Sequence, residues 1–190
     1  MRRLFLLASS LLIATASPLS AQTSDGGADV LLKPSPAESA RNLHATIRRN
    51  LQETAEAMPA VDYDFKPTAD VRSFAQVVGH LANGNFFFCA QAAGEPPSTT
   101  NNEALTGKAA VLKALTDSLA YCDRVYGATT DANVDAAVTL RMASGATQTT
   151  RGSVLAFNTA HNNEHYGNLV IYLRLKGIVP PSTARAQQQR

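Results

Sequence analysis

The chain has 190 residues, with 17 Lys and Arg against 15 Asp and Glu. That length fits one domain with tails. The near-balanced charge gives no electrostatic reach for nucleic acid or an anionic membrane, which argues against both as partners.

The first residues bear on the compartment. Arg2 and Arg3 form a short basic start, and Leu4 to Ala14 form an apolar run too short to span a bilayer. Small residues follow, with Ala14-Thr15-Ala16 and Leu19-Ser20-Ala21 as cleavage signals. This is the order of a secretory signal peptide, and residues 1–21 are expected to be removed. An uncleaved membrane anchor is the alternative. No cysteine directly follows the apolar run, which disfavours a lipoprotein. Loss of Arg2 and Arg3 leaves 15 basic and 15 acidic residues (17 minus 2, against 15). No later segment is apolar enough to cross a membrane, so a soluble periplasmic or extracellular mature chain is expected. Its two cysteines are Cys89 and Cys122. In an oxidising compartment an even count suggests a disulfide; two buried thiols are the alternative.

Residues 22–34 are rich in Ser, Gly and Asp and should be loose. Ser35-Pro36-Ala37-Glu38 reads as a capping box with proline at the first helical position. Leu43, Ile47, Leu51, Ala55 and Met58 follow at helical spacing, and Pro59 ends this first helix. The connection over 59–72 offers Tyr63 and Phe65 for packing. Ser73-Phe74-Ala75-Gln76 is a second capping box, opening a helix to about Ala92 that Gly94 and Pro96-Pro97 end. A polar stretch, Ser98 to Glu103, continues the connection. Thr106 is the expected cap of a third helix with the seam Leu112, Leu115, Leu119, Cys122 and Tyr126, stopped by Gly127. Val138, Leu140 and Met142 then alternate with Thr139 and Arg141 before Ser144-Gly145, the pattern of a short hairpin. The fourth helix should run from Gly152 to Lys176, with Val154, Phe157, His161, His165, Leu169 and Tyr172 on one broad face. Residues 182–190 lack apolar side chains and should be disordered. The fold class is therefore all-α, a four-helix bundle over 35–181 with a hairpin between the third and fourth helices.

The chain has four histidines. His161 and His165 are four apart, so their rings sit one turn apart on one helix face, where both can reach one metal ion. A solvated polar patch or a hydrogen-bonded core pair is the alternative. Their apolar neighbours favour a ligand, because two imidazoles buried without one are costly. His80, between Val77 and Phe87 on the second helix, becomes a third ligand only if the bundle brings it across. Three histidines with an open position suit zinc or nickel. His44 falls beside the apolar stripe of the first helix and is read as a surface residue. His161-Asn162-Asn163-Glu164-His165 also fits the H-x-x-E-H pattern of inverted zinc proteases, but no Asp or Glu follows Glu164 to supply their third ligand.

Tyr63 to Ala82 and the stretch Gly152 to Gly177, which contains HNNEHYGNLVIYLRLKG, together resemble the DinB/YfiT-like family of metal-binding four-helix bundles. The first is similar to the family's proline-containing connection into a histidine-bearing helix. The second is similar to its H-x-x-x-H-x-G-x-L helix, here His161, His165, Gly167 and Leu169. The resemblance covers roughly residues 36 to 180. It implies that His80, His161 and His165 are the metal ligands and that the helices run up-down-down-up. With the second and third helices parallel, Cys89 and Cys122 would lie level. The family includes thiol-dependent transferases and isomerases that use mycothiol or bacillithiol, and many members without an assigned reaction, so membership does not fix a function.

Export weakens the thiol-dependent reading, since those thiols are cytoplasmic reductants. Two classes remain. One is a metal-dependent hydrolase or small-molecule transferase, with Glu164 weighed as a base and, more simply, as a surface residue. The other is a non-catalytic metal- or ligand-binding envelope protein. Asn83, Asn162 and Asn163 are candidates for orienting ligands, and Tyr166 and Tyr172 for packing. The partner is expected to be an unidentified small molecule; a homodimer is left open.

Overall fold

The computed structural model describes residues 34–189. The expected signal peptide, and all but the last residue of the expected loose segment, lie outside the described residues.

The capping signals set the helix starts. Ser35 accepts from Glu38 N at 3.3 Å and Pro36 opens α1, Pro36–Ala57. Only the serine half of that box is among the described bonds. At Ser73 both halves form, opening α2, Phe74–Ala93, which Gly94 closes in the left-handed conformation. The third helix, α3, Lys108–Gly127, differs from expectation: Gly107 precedes it with φ 77° and no side chain caps it. Lys108 Nζ instead donates to the Met58 carbonyl at 2.8 Å, tying this end to the last turn of α1. A hairpin follows, β1 (Ala137–Met142) antiparallel to β2 (Gly145–Thr150). Thr150 then caps α4, Arg151–Leu175.

Long-range contacts fix the helix directions. Asn85 meets Ser118, and Cys89 is bonded to Cys122, so the α2–α3 offset stays constant and these helices are parallel. Asn85 meets Asn162 and Cys89 meets Asn158, so α2 and α4 are antiparallel. Arg48 meets Asp123 while Gln52 meets Thr116, so α1 and α3 are antiparallel. The bundle is up-down-down-up, with α2 packed against both α3 and α4.

One apolar cluster gathers Leu51, Phe74, Leu81, Leu115, Leu169 and Leu173. A second gathers Phe88, the two cysteines, Tyr126, Val154 and Leu155. Along α2 and α4 a polar layer separates them, where Asn162 donates to Asn85 Oδ1 at 2.9 Å and Asn85 donates to Ser118 of α3. Among the described residues no helix is long and apolar enough to cross a membrane.

Three expectations about packing are corrected. Ile47, Leu51, Ala55 and Met58 are buried as expected, but Leu43 is 59% exposed and His44 is buried in its place. The burial of His44 is supported by a stack on Tyr126, with ring centroids 4.0 Å apart, and by Nε2 lying 2.8 Å from Asp123 Oδ1. The α3 seam uses Val111, fully buried, where Leu112 was expected, and Leu112 packs at its margin. Residues 181–188 form a further helix, α5, Pro181–Gln188, in the tail expected to be disordered. Polar contacts hold it: Arg185 pairs with Glu53 and Asn50 of α1, and Tyr166 donates to Ser182 Oγ.

Candidate metal centre

The capping box at Ser73 places His80 two turns into α2, and the four-residue spacing on α4 places His161 and His165 opposite it. The three rings converge, with centroid separations of 5.1, 4.7 and 4.5 Å. One nitrogen from each lies within 4.8 Å of the others, and all three residues are half-buried. His80 Nε2 and His161 Nε2 are 3.2 Å apart. Two nitrogens at 2.0–2.1 Å on a tetrahedral ion would be separated by about 3.3 Å, so this spacing fits zinc.

The protein has fixed which nitrogens are free. His80 Nδ1 lies 2.6 Å from Glu103 Oε1, so this nitrogen is engaged and Nε2 faces the other two rings. Glu103 Oε2 in turn accepts from Arg72 Nε at 3.0 Å. Burial pushes the Glu103 carboxyl up, but the bonds to His80 and Arg72 outweigh it and the net shift is downward. Glu103 therefore stays ionised at neutral pH. A carboxylate on the far nitrogen orients a ligating imidazole and raises its basicity. Asn83 was a candidate for orienting a ligand, and it does so at one remove. Its Oδ1 accepts from Asn102 N at 2.9 Å and Asn102 Nδ2 at 2.8 Å, holding the 3-10 turn Asn102–Ala104 that carries Glu103.

Two glycines make the close approaches possible. A Cβ at Gly79 would lie 2.4 Å from the Asn102 carbonyl oxygen, so this glycine lets the Glu103 turn press against α2. A Cβ at Gly84 would lie 2.6 Å from Cε1 of His161, so this glycine is the seat of that ring. Glycine inside a helix costs about 0.5–1 kcal/mol relative to alanine, and here both positions need the space.

Burial first, then the neighbouring imidazoles of His165 and His80, push His161 down to about 4. His165 is also lowered, chiefly by burial and then by His80. These two rings are neutral at pH 7, the form that ligates metals. His161 Nδ1 is buried without a hydrogen-bond partner among the described residues.

A cavity of about 550 Å³ opens onto His80 and His161. Phe157, expected in the apolar face of α4, is instead 48% exposed and lines this cavity. Glu164 is exposed on the outer side of α4. Asn163 donates to the Thr159 carbonyl, and Tyr172 donates to the Arg72 carbonyl at 2.6 Å. Glu103, Gly79 and Gly84 were not singled out from the sequence. The one available signal was the pair of glycines flanking His80 inside a strongly capped helix.

The model of the DinB superfamily matches residues 43–169. This chain belongs to the DinB superfamily. Solved DinB-like folds superpose on it. A DinB-like protein from Bacillus cereus is 12% identical with a TM-score of 0.64, covering 76% of this chain and 95% of its own. A DinB-like protein from Bacillus subtilis is 18% identical with a TM-score of 0.56, covering 73% and 92%. The mycothiol-dependent maleylpyruvate isomerase is 13% identical with a TM-score of 0.58, and the alignment covers 71% of this chain but 61% of that one. At these identities the likeness is one of fold. No curated protein sequence matches the chain.

Two expected results follow from the DinB site. Glu103→Gln keeps the shape but not the charge, and should weaken zinc binding by about 10–100-fold in a chelator competition. Gly84→Ala should also lower zinc affinity, while thermal unfolding stays within a few degrees of wild type, because alanine favours the helix that the displaced ring disturbs.

Proposed function

We propose that this DinB protein is an exported, metal-dependent enzyme acting on a small molecule, with His80, His161 and His165 as ligands of one divalent ion, zinc or nickel. The observation that carries the reading is a cavity of about 550 Å³ that opens onto two of the three histidines. A site that only stored metal would need no such space. Three neutral nitrogens leave a bound ion its full double charge, and zinc so held acidifies a coordinated water toward ~7, which serves hydrolysis or the activation of a bound nucleophile. The chain's own residues hold and orient: Glu103 fixes His80, and Gly84 seats His161.

The disulfide supports export, since such bonds persist in oxidising compartments. Mass spectrometry of protein from the envelope fraction should find a chain lacking residues 1–21. Intact Met1 on cytoplasmic protein would contradict export and revive thiol-dependent chemistry.

One observation favours a non-catalytic metal- or ligand-binding role. Glu103, the carboxylate bonded to the histidine cluster, is already engaged by both His80 and Arg72 and is not free to move a proton. The discriminating experiment screens zinc-loaded protein against aryl esters, amides and electrophile–thiol pairs. Turnover that disappears in His161→Ala supports the enzyme. Ligand binding without turnover across the panel supports the binding protein.

A further inference from the structure

The walls of the cavity are unlike its floor. Phe86, Phe87 and Phe88 from α2, Phe157 from α4 and Met142 from the end of β1 line it above His80 and His161. The rings meet as edges and tilted faces: Phe87–Phe88 at 5.1 Å and 82°, Phe88–Phe157 at 5.0 Å and 51°. Phe88 reaches His161 at 5.5 Å and 62°, which joins the aromatic wall to the metal centre. Phe157 and Met142 are 48% and 37% exposed, so large apolar side chains face the opening, not the core. The rim is Ser98, Thr99, Thr100 and Asn101, all uncharged.

Among the described residues no lysine or arginine lines the cavity, and the one carboxylate that does, Glu103, is bonded to His80 and Arg72. An anionic ligand body would find no basic side chain on these walls as a counter-charge. A flat apolar ring would find partners on several sides in the offset and edge-to-face geometries that aromatic pairs prefer. The volume lies within the range of small-molecule sites. A ligand there would present one end to His80 and His161.

We infer that the cavity selects small molecules with an uncharged aromatic body and a single metal-coordinating head, such as an ionisable oxygen, nitrogen or sulfur. The inference rests on the proposed metal reading for the head, but the aromatic wall is testable without it.

The experiment uses the chain lacking residues 1–21, metal-free and zinc-loaded. The metal-free protein is titrated with N-phenyl-1-naphthylamine, a neutral aromatic fluorophore, and with its anionic analogue 8-anilinonaphthalene-1-sulfonate. The neutral dye should bind at least about tenfold more tightly, and Phe157→Ala with Met142→Ala should weaken it about tenfold. Ile171→Ala, an exposed apolar site on the outer face of α4, should leave it unchanged. In the zinc-loaded protein, calorimetry should show benzohydroxamate bound at least about tenfold more tightly than acetohydroxamate, with that preference lost in Phe157→Ala and zinc content unchanged. Equal affinity for the two dyes, or a preference that survives the Phe157→Ala and Met142→Ala changes, overturns the inference. Failure of the protein to take up zinc on loading, with dye binding at this wall intact, would overturn the metal reading and leave the aromatic pocket standing.

Discussion

His161→Ala is expected to remove most of the zinc from the purified protein, lowering affinity by more than about 100-fold, the upper end of what loss of an outer partner costs. His161 lies beside both other histidines: its ring centroid is 5.1 Å from that of His80 and 4.5 Å from that of His165. Its pKa is held down to about 4 by burial and then by the other two imidazoles. The sign of the pH effect follows. In the metal-free folded protein His161 resists protonation down to about pH 4, whereas the unfolded chain takes up that proton near pH 6.5. The unfolded state therefore binds more protons in that window, and metal-free stability should fall as pH drops from about 6.5 toward 4. Above pH 6.5 this residue should contribute no slope. Urea unfolding at several pH values, for wild type and His161→Ala, measures both points; the variant should show a shallower acid-side loss. Full zinc retention in His161→Ala would remove the residue from the site.

Loss of the Cys89–Cys122 bond should have the second large effect. The two alpha carbons are 5.5 Å apart, and the residues are 33 apart in sequence. On the chain-entropy model, closing such a loop stabilises by about 3–4 kcal/mol. Both cysteines are fully buried in the cluster with Phe88, Tyr126 and Leu155, and Asn158 Nδ2 lies 3.7 and 3.8 Å from the two sulfurs. The double change to alanine should lower the urea unfolding free energy by at least the loop term. Zinc binding should survive, because the bond lies more than two turns beyond His80 along α2. Labelling of the unfolded, unreduced protein should find no free thiol; two reactive thiols per chain would contradict the bond.

The sequence carried the helices and the histidines better than their surroundings. Ser73 and Gln76 announce α2 because a capping box is a local device, and the spacing of His161 and His165 is local as well. The features that were not legible depend on contacts far apart in the chain. Glu103 stands in a polar connection with no periodicity, and only the fold of α2 against that connection shows that it reaches His80. Gly79 and Gly84 look like weak points in a helix until the neighbours that need their space are in view. His44 looked peripheral because it falls beside the apolar stripe of α1, and the Asp123 that partners it when buried is supplied by another helix. Phe157 looked like core because α4 is apolar on much of its circumference, yet it faces a cavity. The tail folds as α5 on polar contacts, which an argument from missing apolar side chains overlooks.

X-ray absorption of the zinc-loaded protein tests the three-histidine centre most directly. The predicted spectrum shows three imidazole nitrogens and one further light atom at about 2.0–2.1 Å, with no sulfur, since both cysteines are bonded to each other. A spectrum with fewer than three imidazoles around the ion, or with sulfur in its first shell, would contradict the account.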